Sequence, residues 1–201
     1  MYDALIIGGG AAGISCALVL GSAHAKPFMN GKKIALIAHQ KASMLQDAVF
    51  YNAYGVPAGK LGAELLQETK EQLRTHYPEI EQIEGEKVQS VLRQGAGFVV
   101  QTNKNTYESL LVVVAVNSSS SFQIEGLMEF TQPHGKSLPQ KNRIQLKNDD
   151  QLVATNLYVA GTLAGHRSQL SIAAGSGAAV ATDILTLWNN GTETHSHDSI
   201  R

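Results

Sequence analysis

Residues 4–20 constrain this chain more than any other stretch. Four apolar residues, Ala4, Leu5, Ile6 and Ile7, run into Gly8, Gly9 and Gly10; Gly13 follows, and then Ile14, Ala17, Leu18 and Leu20 recur at helical spacing. The order is strand, tight turn, helix, with the spacing G-x-G-x-x-G carried by Gly8, Gly10 and Gly13. Each glycine has a physical task in such a unit. Gly8 permits the turn, Gly10 leaves room for a pyrophosphate to approach the backbone, and Gly13 lets helix and strand pack closely. The helix then aims free N–H groups and its positive dipole end at the phosphates. A glycine-rich turn that binds nothing is the competing reading; a strand before and a helix after are the context a dinucleotide site requires.

The next elements complete a β-α-β unit with one departure. Residues 21–33 form a loop marked by Pro27, Asn30 and Gly31, and residues 34–38 (IALIA) read as a buried strand. Such a unit normally ends its second strand on an acid that holds ribose hydroxyls. Here Ala38, His39 and Gln40 stand in that place. His39 or Gln40 can hydrogen-bond a ribose, but without charge assistance; an exposed loop histidine is the equal alternative.

Further along, residues 41–59 are irregular, with Phe50, Tyr51 and Tyr54 around Asn52. These rings form either a lid on a ligand or plugs over the core. Leu61, Leu65, Leu66, Leu73 and Tyr77 predict an amphipathic helix over 61–77, stopped by Pro78. A short strand is expected near 86–91, then strands over 97–102 and 106–116. The last contains LLVVVAV, a run typical of a strand buried on both faces. Residues 118–121 are all serine, and 122–150 read as a polar crossover with short strands, one over 143–146. Residues 156–160 (NLYVA) are another buried strand, ended by Gly161. Residues 168–187 form a small-residue helix able to approach a sheet or a cofactor closely. The expected organisation is one α/β domain over residues 1–190 and a flexible polar tail over 191–201.

Composition removes several classes. The chain has 201 residues, 43% hydrophobic and 16% charged, an ordinary globular balance. A net charge of −1 and no Lys/Arg-rich tract offer nothing to nucleic acid or an anionic membrane. The single cysteine, Cys16, excludes an intramolecular disulfide, a C-x-x-C pair and a Cys-rich zinc site. It falls on the core face of the first helix and reads as a small buried hydrophobe. No apolar run approaches the ~20 residues of a membrane span. Asp3 stands where a secretory signal carries positive charge, so the cytoplasm is the expected location.

With the order of elements in place, the chain resembles the FAD domain of thioredoxin reductase and its small flavoprotein relatives, within the pyridine nucleotide-disulfide oxidoreductases. LIIGGGAAGISCAL resembles the family's first turn; FYNAYGVPAGKLGAELLQETKEQL its N-x-P-G loop and helix; EGEKVQSVLRQGAGFVVQTNKNTYESLLVVVAV its adenine-side sheet; and NLYVAGTLAGHRSQLSIAAGSGAAVATDI its closing segment. The resemblance implies a Rossmann-like FAD-binding fold: a parallel sheet, a crossover antiparallel sheet and flanking helices. It also implies site roles. Gly8, Gly10, Ala11, Ala12 and Gly13 would line the pyrophosphate. Val88 would meet the adenine through its backbone, Ser43 and Asn52 would lie near the flavin ring, and Gly161 and Thr162 by the ribityl and phosphates. Gln169 and Leu170 would face the ring's pyrimidine edge from the last helix N-terminus.

Departures from the family pattern bear on function. Thr162 replaces the aspartate of A-G-D; Ala115-Val116-Asn117 replaces A-T-G, so Ala115 and Asn117 take that part of the cofactor site; and the acid after the second strand is absent. The redox cysteine pair is missing, and no second glycine fingerprint occurs between Ser118 and Asn156. The resemblance therefore covers the flavin half alone. Three functions follow: a small FAD-dependent oxidoreductase fed by NAD(P)H or a protein electron donor; a non-catalytic FAD-binding or electron-transfer module working with a partner reductase; or a plain NAD(P) dehydrogenase. The last is disfavoured, because no Tyr-x-x-x-Lys pair exists in the chain. His39 and His166 are acid–base candidates by residue type and loop position alone. A homodimer is expected by analogy with flavin domains of this type.

Overall fold

Alternation along short apolar strands divides the interior into two cores. The computed structural model describes residues 1–39 and 44–197. In chain order the elements are β1 (Ala4–Ile7), α1 (Ala11–Ser22), β2 (Ile34–Ala38), β3 (Val49–Phe50), β4 (Lys60–Leu61), α2 (Gly62–His76), β5 (Ile80–Glu84), β6 (Val88–Gln94), β7 (Gly97–Thr102), β8 (Thr106–Ser109), β9 (Val112–Val114), β10 (Thr131–Pro133), β11 (Ile144–Leu146), β12 (Leu152–Ala154), β13 (Leu157–Val159) and α3 (Leu170–Trp188). A six-stranded sheet runs β12-β13-β9-β1-β2-β5. Its neighbours are parallel except for the antiparallel edge pair β12–β13.

Side chains on successive residues of a strand point to opposite faces. Ala4 and Ile6, with Ile34, Leu36 and Val113, face the helices; Leu5 and Ile7, with Ile37, Val112, Val114 and Val159, face the other way. The first set packs on α1 and α3. The second packs on an antiparallel meander, β6-β7-β8, through Val91, Phe98 and Val100. Helices, parallel sheet and meander thus form three layers, the Rossmann-like α/β arrangement expected from the sequence.

Several elements differ from the sequence expectation, among them the short strands β3, in the stretch 41–59 read as irregular, and β12. The apolar stretch 106–116 is two strands, not one. β8 finishes the meander, the chain turns at Leu110, whose N–H donates to the Tyr2 carbonyl at 2.9 Å, and β9 enters the central sheet beside β1. β5 was unforeseen: Ile80 and Ile83 are buried, but Glu81, Gln82 and Glu84 between and after them suit a sheet edge and hide the period. Finally, α3 corrects the expectation that no apolar run approaches membrane-spanning length. It has 19 residues, and an 18-residue window of it has a mean hydropathy of 1.5, long and apolar enough to cross a membrane. Here Val180, Ala181, Ile184 and Leu185 pack in the helix-side core. After α3, Thr194 is buried; its N–H donates to the Thr186 hydroxyl at 3.0 Å, and its own hydroxyl accepts from the Asn189 amide at 2.8 Å.

Helices α1 and α3 meet at backbone distance. A Cβ on Gly177 would lie 1.9 Å from the Ala12 carbonyl oxygen, whereas one on Gly175 would meet nothing within 4 Å. Gly177→Ala should therefore destabilise the protein by about 1–3 kcal/mol through overpacking. Gly175→Ala, in the same helix, should stabilise by roughly 0.5–1 kcal/mol through reduced unfolded-state freedom. Urea unfolding of the two variants side by side checks both signs.

Candidate functional site

A cleft of about 750 Å³ lies at the carboxyl ends of β1, β2, β9 and β13, lined there by Ile7, Ile37, Ala115 and Ala160. Its size falls within the roughly 300–1,000 Å³ usual for ligand sites. β1 sits between β9 and β2, so chain connections leave it in both directions; open α/β sheets place ligands at such a reversal.

The floor is the first glycine turn. Gly8 has φ +116°, its N–H donates to the Ile37 carbonyl at 2.8 Å, and a Cβ there would lie 2.4 Å from the Ala115 oxygen. A Cβ on Gly13 would lie 1.8 Å from the Gly8 oxygen. Gly8 and Gly13 thus bring β1, β9 and α1 together at backbone distance. Gly10 is the helix N-cap, no side chain caps α1, and the first intrahelical bond runs from Ile14 N–H to Gly10 O. The N–H groups ahead of Ile14 have no intrahelical acceptor, and Gly10, Ala11 and Ala12 line the cleft.

A second helix start faces the same space. α3 begins at Leu170 with Gln169 as an N-cap that makes no side-chain bond, and both residues line the cleft. The turn before it is held from behind. Gly161 has φ +74°, and its N–H donates at 2.8 Å to the buried Ser176 hydroxyl, which itself donates to Gln151 Oε1. Thr162 is held through its carbonyl. The Lys136 N–H donates to His134 Nδ1 at 3.1 Å, so Nε2 carries the proton donated to Thr162 O at 3.0 Å.

The far end is formed by the turn between β5 and β6 and by the segment after β9. Glu86, Lys87 and Val88 line it with Phe122 and Ile124. Glu86 is buried and accepts hydrogen bonds from Thr102 Oγ1 at 2.6 Å, Asn105 Nδ2 at 2.7 Å and Tyr107 OH at 3.0 Å. Burial pushes its carboxyl up, but these three donors and the Lys104 ammonium outweigh burial and hold it below its ordinary value.

Gly8, Gly10, Ala11, Ala12, His39, Val88, Ala115, Asn117, Gly161, Thr162, Gln169 and Leu170 all border this one cleft. Gly13 packs just behind it. Asn52 is exposed and does not border it; the chain bends after β3, so that Phe50 turns inward while Tyr51 and Asn52 turn out. Gln40 and Ser43 lie outside the described residues. His166 also stands off the cleft, and its pKa is lowered by burial and by Lys136 and His134, against Asp150. Cys16 is fully buried, and burial pushes its thiol up to about 12, so it stays protonated at neutral pH. Sequence reading missed Glu86, Phe122, Lys141 and Arg143 on the lining and the Gln151–Ser176 support. Glu86, Arg143 and Ser176 fall in segments the sequence analysis assigned to strands and a helix, but nothing in their spacing marks them as facing or supporting the cleft.

Two helix N-termini and a glycine floor at a sheet reversal define a Rossmann-like α/β protein with a ligand-sized cleft at its switch point. Residues 2–165 match the pyridine nucleotide-disulphide oxidoreductase family, and the chain belongs to it. It is 29% identical over 119 residues to a ferredoxin--NADP reductase of Levilactobacillus brevis, covering 59% of this chain and 35% of that protein. The chain thus spans about a third of the length of that curated relative. A thioredoxin reductase from Gloeobacter violaceus superimposes with a TM-score of 0.70 at 14% identity, covering 100% of this chain and 99% of that one. A ferredoxin-flavin thioredoxin reductase from Clostridium acetobutylicum does so with a TM-score of 0.68 at 18% identity, covering 94% and 98%. At these identities the structural likeness speaks for the fold.

Because the Glu86 pKa is lower folded than unfolded, its contribution to stability is full above the ordinary value near 4.5 and is lost as pH falls through the folded value. Glu86→Gln should cost about 1–3 kcal/mol at pH 7. The difference from wild type should shrink once pH drops below the folded value. Urea titrations across that range measure the shrinkage.

Proposed function

We propose that the cleft holds FAD and that the protein is a small FAD-dependent oxidoreductase of the thioredoxin reductase-like class. The observation that carries this reading is the pairing of two uncapped helix N-termini on one cleft whose glycine floor admits no Cβ at Gly8. Amides of Ala11 and Ala12 would hold the pyrophosphate, with the α1 dipole opposing its charge. Val88, Phe122 and Ile124 would enclose the adenine. Gly161 and Thr162 would meet the ribityl and phosphate portion. Gln169 and Leu170 would bring the α3 N-terminus to the ring's pyrimidine edge, where its dipole stabilises negative charge. Bound FAD would supply hydride or single-electron transfer.

Electrons would come from NAD(P)H or from a protein donor. The names of the relatives, a ferredoxin--NADP reductase and a ferredoxin-flavin thioredoxin reductase, support both routes. A second reading, a non-catalytic FAD module serving a partner reductase, draws on the lining itself. Its one carboxylate among the described residues, Glu86, is already bonded to three donors and offers no free acid–base group. A homodimer remains the proposed assembly.

Purified protein incubated with FAD should retain it and show a flavin spectrum, and under the first reading anaerobic NADH, NADPH or a reduced ferredoxin should bleach it. Retention without bleaching by any of the three favours the module, and no retention overturns both. Gly10 has φ −88°, open to any residue. Gly10→Val should therefore keep the fold by circular dichroism and lose FAD by obstructing pyrophosphate approach. Unchanged FAD content in that variant removes the pyrophosphate from this turn.

A further inference from the structure

The segment between β9 and β13 contains no β-α-β unit; it holds the hairpin β10–β11, the edge strand β12 and short helical turns. This short bridge puts two cations on the cleft. Lys141 closes the helical turn Pro139–Lys141, Asn142 follows in the left-handed region at φ +46°, and Arg143 leads into β11. The bridge is tied to the serine loop after β9 by the bond from Ile144 N–H to Ser118 O at 3.1 Å. Lys141 and Arg143 both line the cleft, together with Ser118, Ser119 and Asn117.

The charge balance of the lining is one-sided. Lys87, Lys141 and Arg143 stand against Glu86 alone, and Glu86 is saturated by Thr102, Asn105 and Tyr107. Among the described residues neither Lys141 nor Arg143 has a carboxylate partner, and Arg143 as a residue is half-buried. A partly desolvated cation without a counter-ion is unfavourable, and a concave wall of one sign concentrates ions of the other. A planar guanidinium beside an ammonium suits phosphate oxygens, which it can bind in pairs.

We propose that Lys141 and Arg143 form a phosphate clamp, supplied by the bridging hairpin, for the phosphate or diphosphate group of a nucleotide in the cleft. The proposal rests on the nucleotide-binding reading above and adds a cationic segment to the lining that also holds the α1 N-terminus. The phosphates belong either to FAD itself or to a nicotinamide nucleotide that reduces it, and affinity measurements separate the two sources.

The experiment uses the whole chain, Lys141→Glu and Arg143→Met. Lys141 is exposed, so its reversal leaves the fold intact even if the arginine variant does not fold. Calorimetric titration measures FAD, riboflavin (the same ring without phosphate), and NADPH added to FAD-loaded protein. FAD binding weakened tenfold or more, with riboflavin within twofold of wild type, supports the clamp on the cofactor's own phosphates. NADPH binding weakened tenfold with FAD unchanged supports it on the nicotinamide nucleotide. In either case the loss should shrink at high salt. The clamp alone is overturned if wild type binds FAD while both variants match it within twofold for FAD and NADPH, or if riboflavin weakens in step with FAD. A wild-type protein that binds no flavin overturns the flavin reading and the clamp with it.

Discussion

Backbone contact between the start of α1 and its surroundings is the constraint on which the rest depends. Gly8 meets the Ala115 carbonyl, Gly13 meets the Gly8 carbonyl, and Gly177 meets the Ala12 carbonyl, each at a separation that forbids a Cβ. Three separate parts of the chain are thereby drawn onto one turn: β1, the end of β9, and α3. Gly10, Ala11 and Ala12 line the cleft beside that turn, where the first N–H groups of α1 have no intrahelical acceptor.

The supports behind the cleft are polar and buried. Gln151, Ser176 and Gly161 form one chain of hydrogen bonds, and His134 joins the bridging hairpin to Thr162. Glu86 performs the equivalent task at the far end by tying three residues of the meander to the β5–β6 turn. Removing one member of such a set leaves its partners buried without bonds, which costs more than the bond itself contributes. These groups shape the cleft walls without depending on any side chain of the glycine turn.

The bridge between β9 and β13 alters the electrostatics of the fold as well as its size. A hairpin and a serine loop close the sheet and bring Lys141 and Arg143 to the cleft. The overall charge of −1 conceals this, since a balanced total is compatible with three cationic residues and a single hydrogen-bonded carboxylate on one cleft. No acid follows β2 on the described side of that loop; the exposed His39 stands there.

Much of the architecture was legible in residues whose role is local. The glycine turn, the buried strands at 34–38 and 156–160 and the helices over 61–77 and 168–187 follow from period and turn chemistry, and the structure has all of them within a few residues. The resemblance carried by those segments pointed to the cleft-forming positions in the glycine turn, at Gly161–Thr162 and at Gln169–Leu170. What stayed hidden depends on partners far away in sequence. β5 is a strand because β2 offers it an edge, and 106–116 breaks in two because Tyr2 captures Leu110. Glu86 is recognisable only beside Thr102, Asn105 and Tyr107, and Lys141 and Arg143 only once the hairpin folds back on Ser118. Sequence alone determined the turn and the periodicities, because backbone sterics and hydrophobic alternation act between near neighbours. Tertiary structure alone decided which buried polar groups meet and which charges face the cleft, because those pairings span the whole chain.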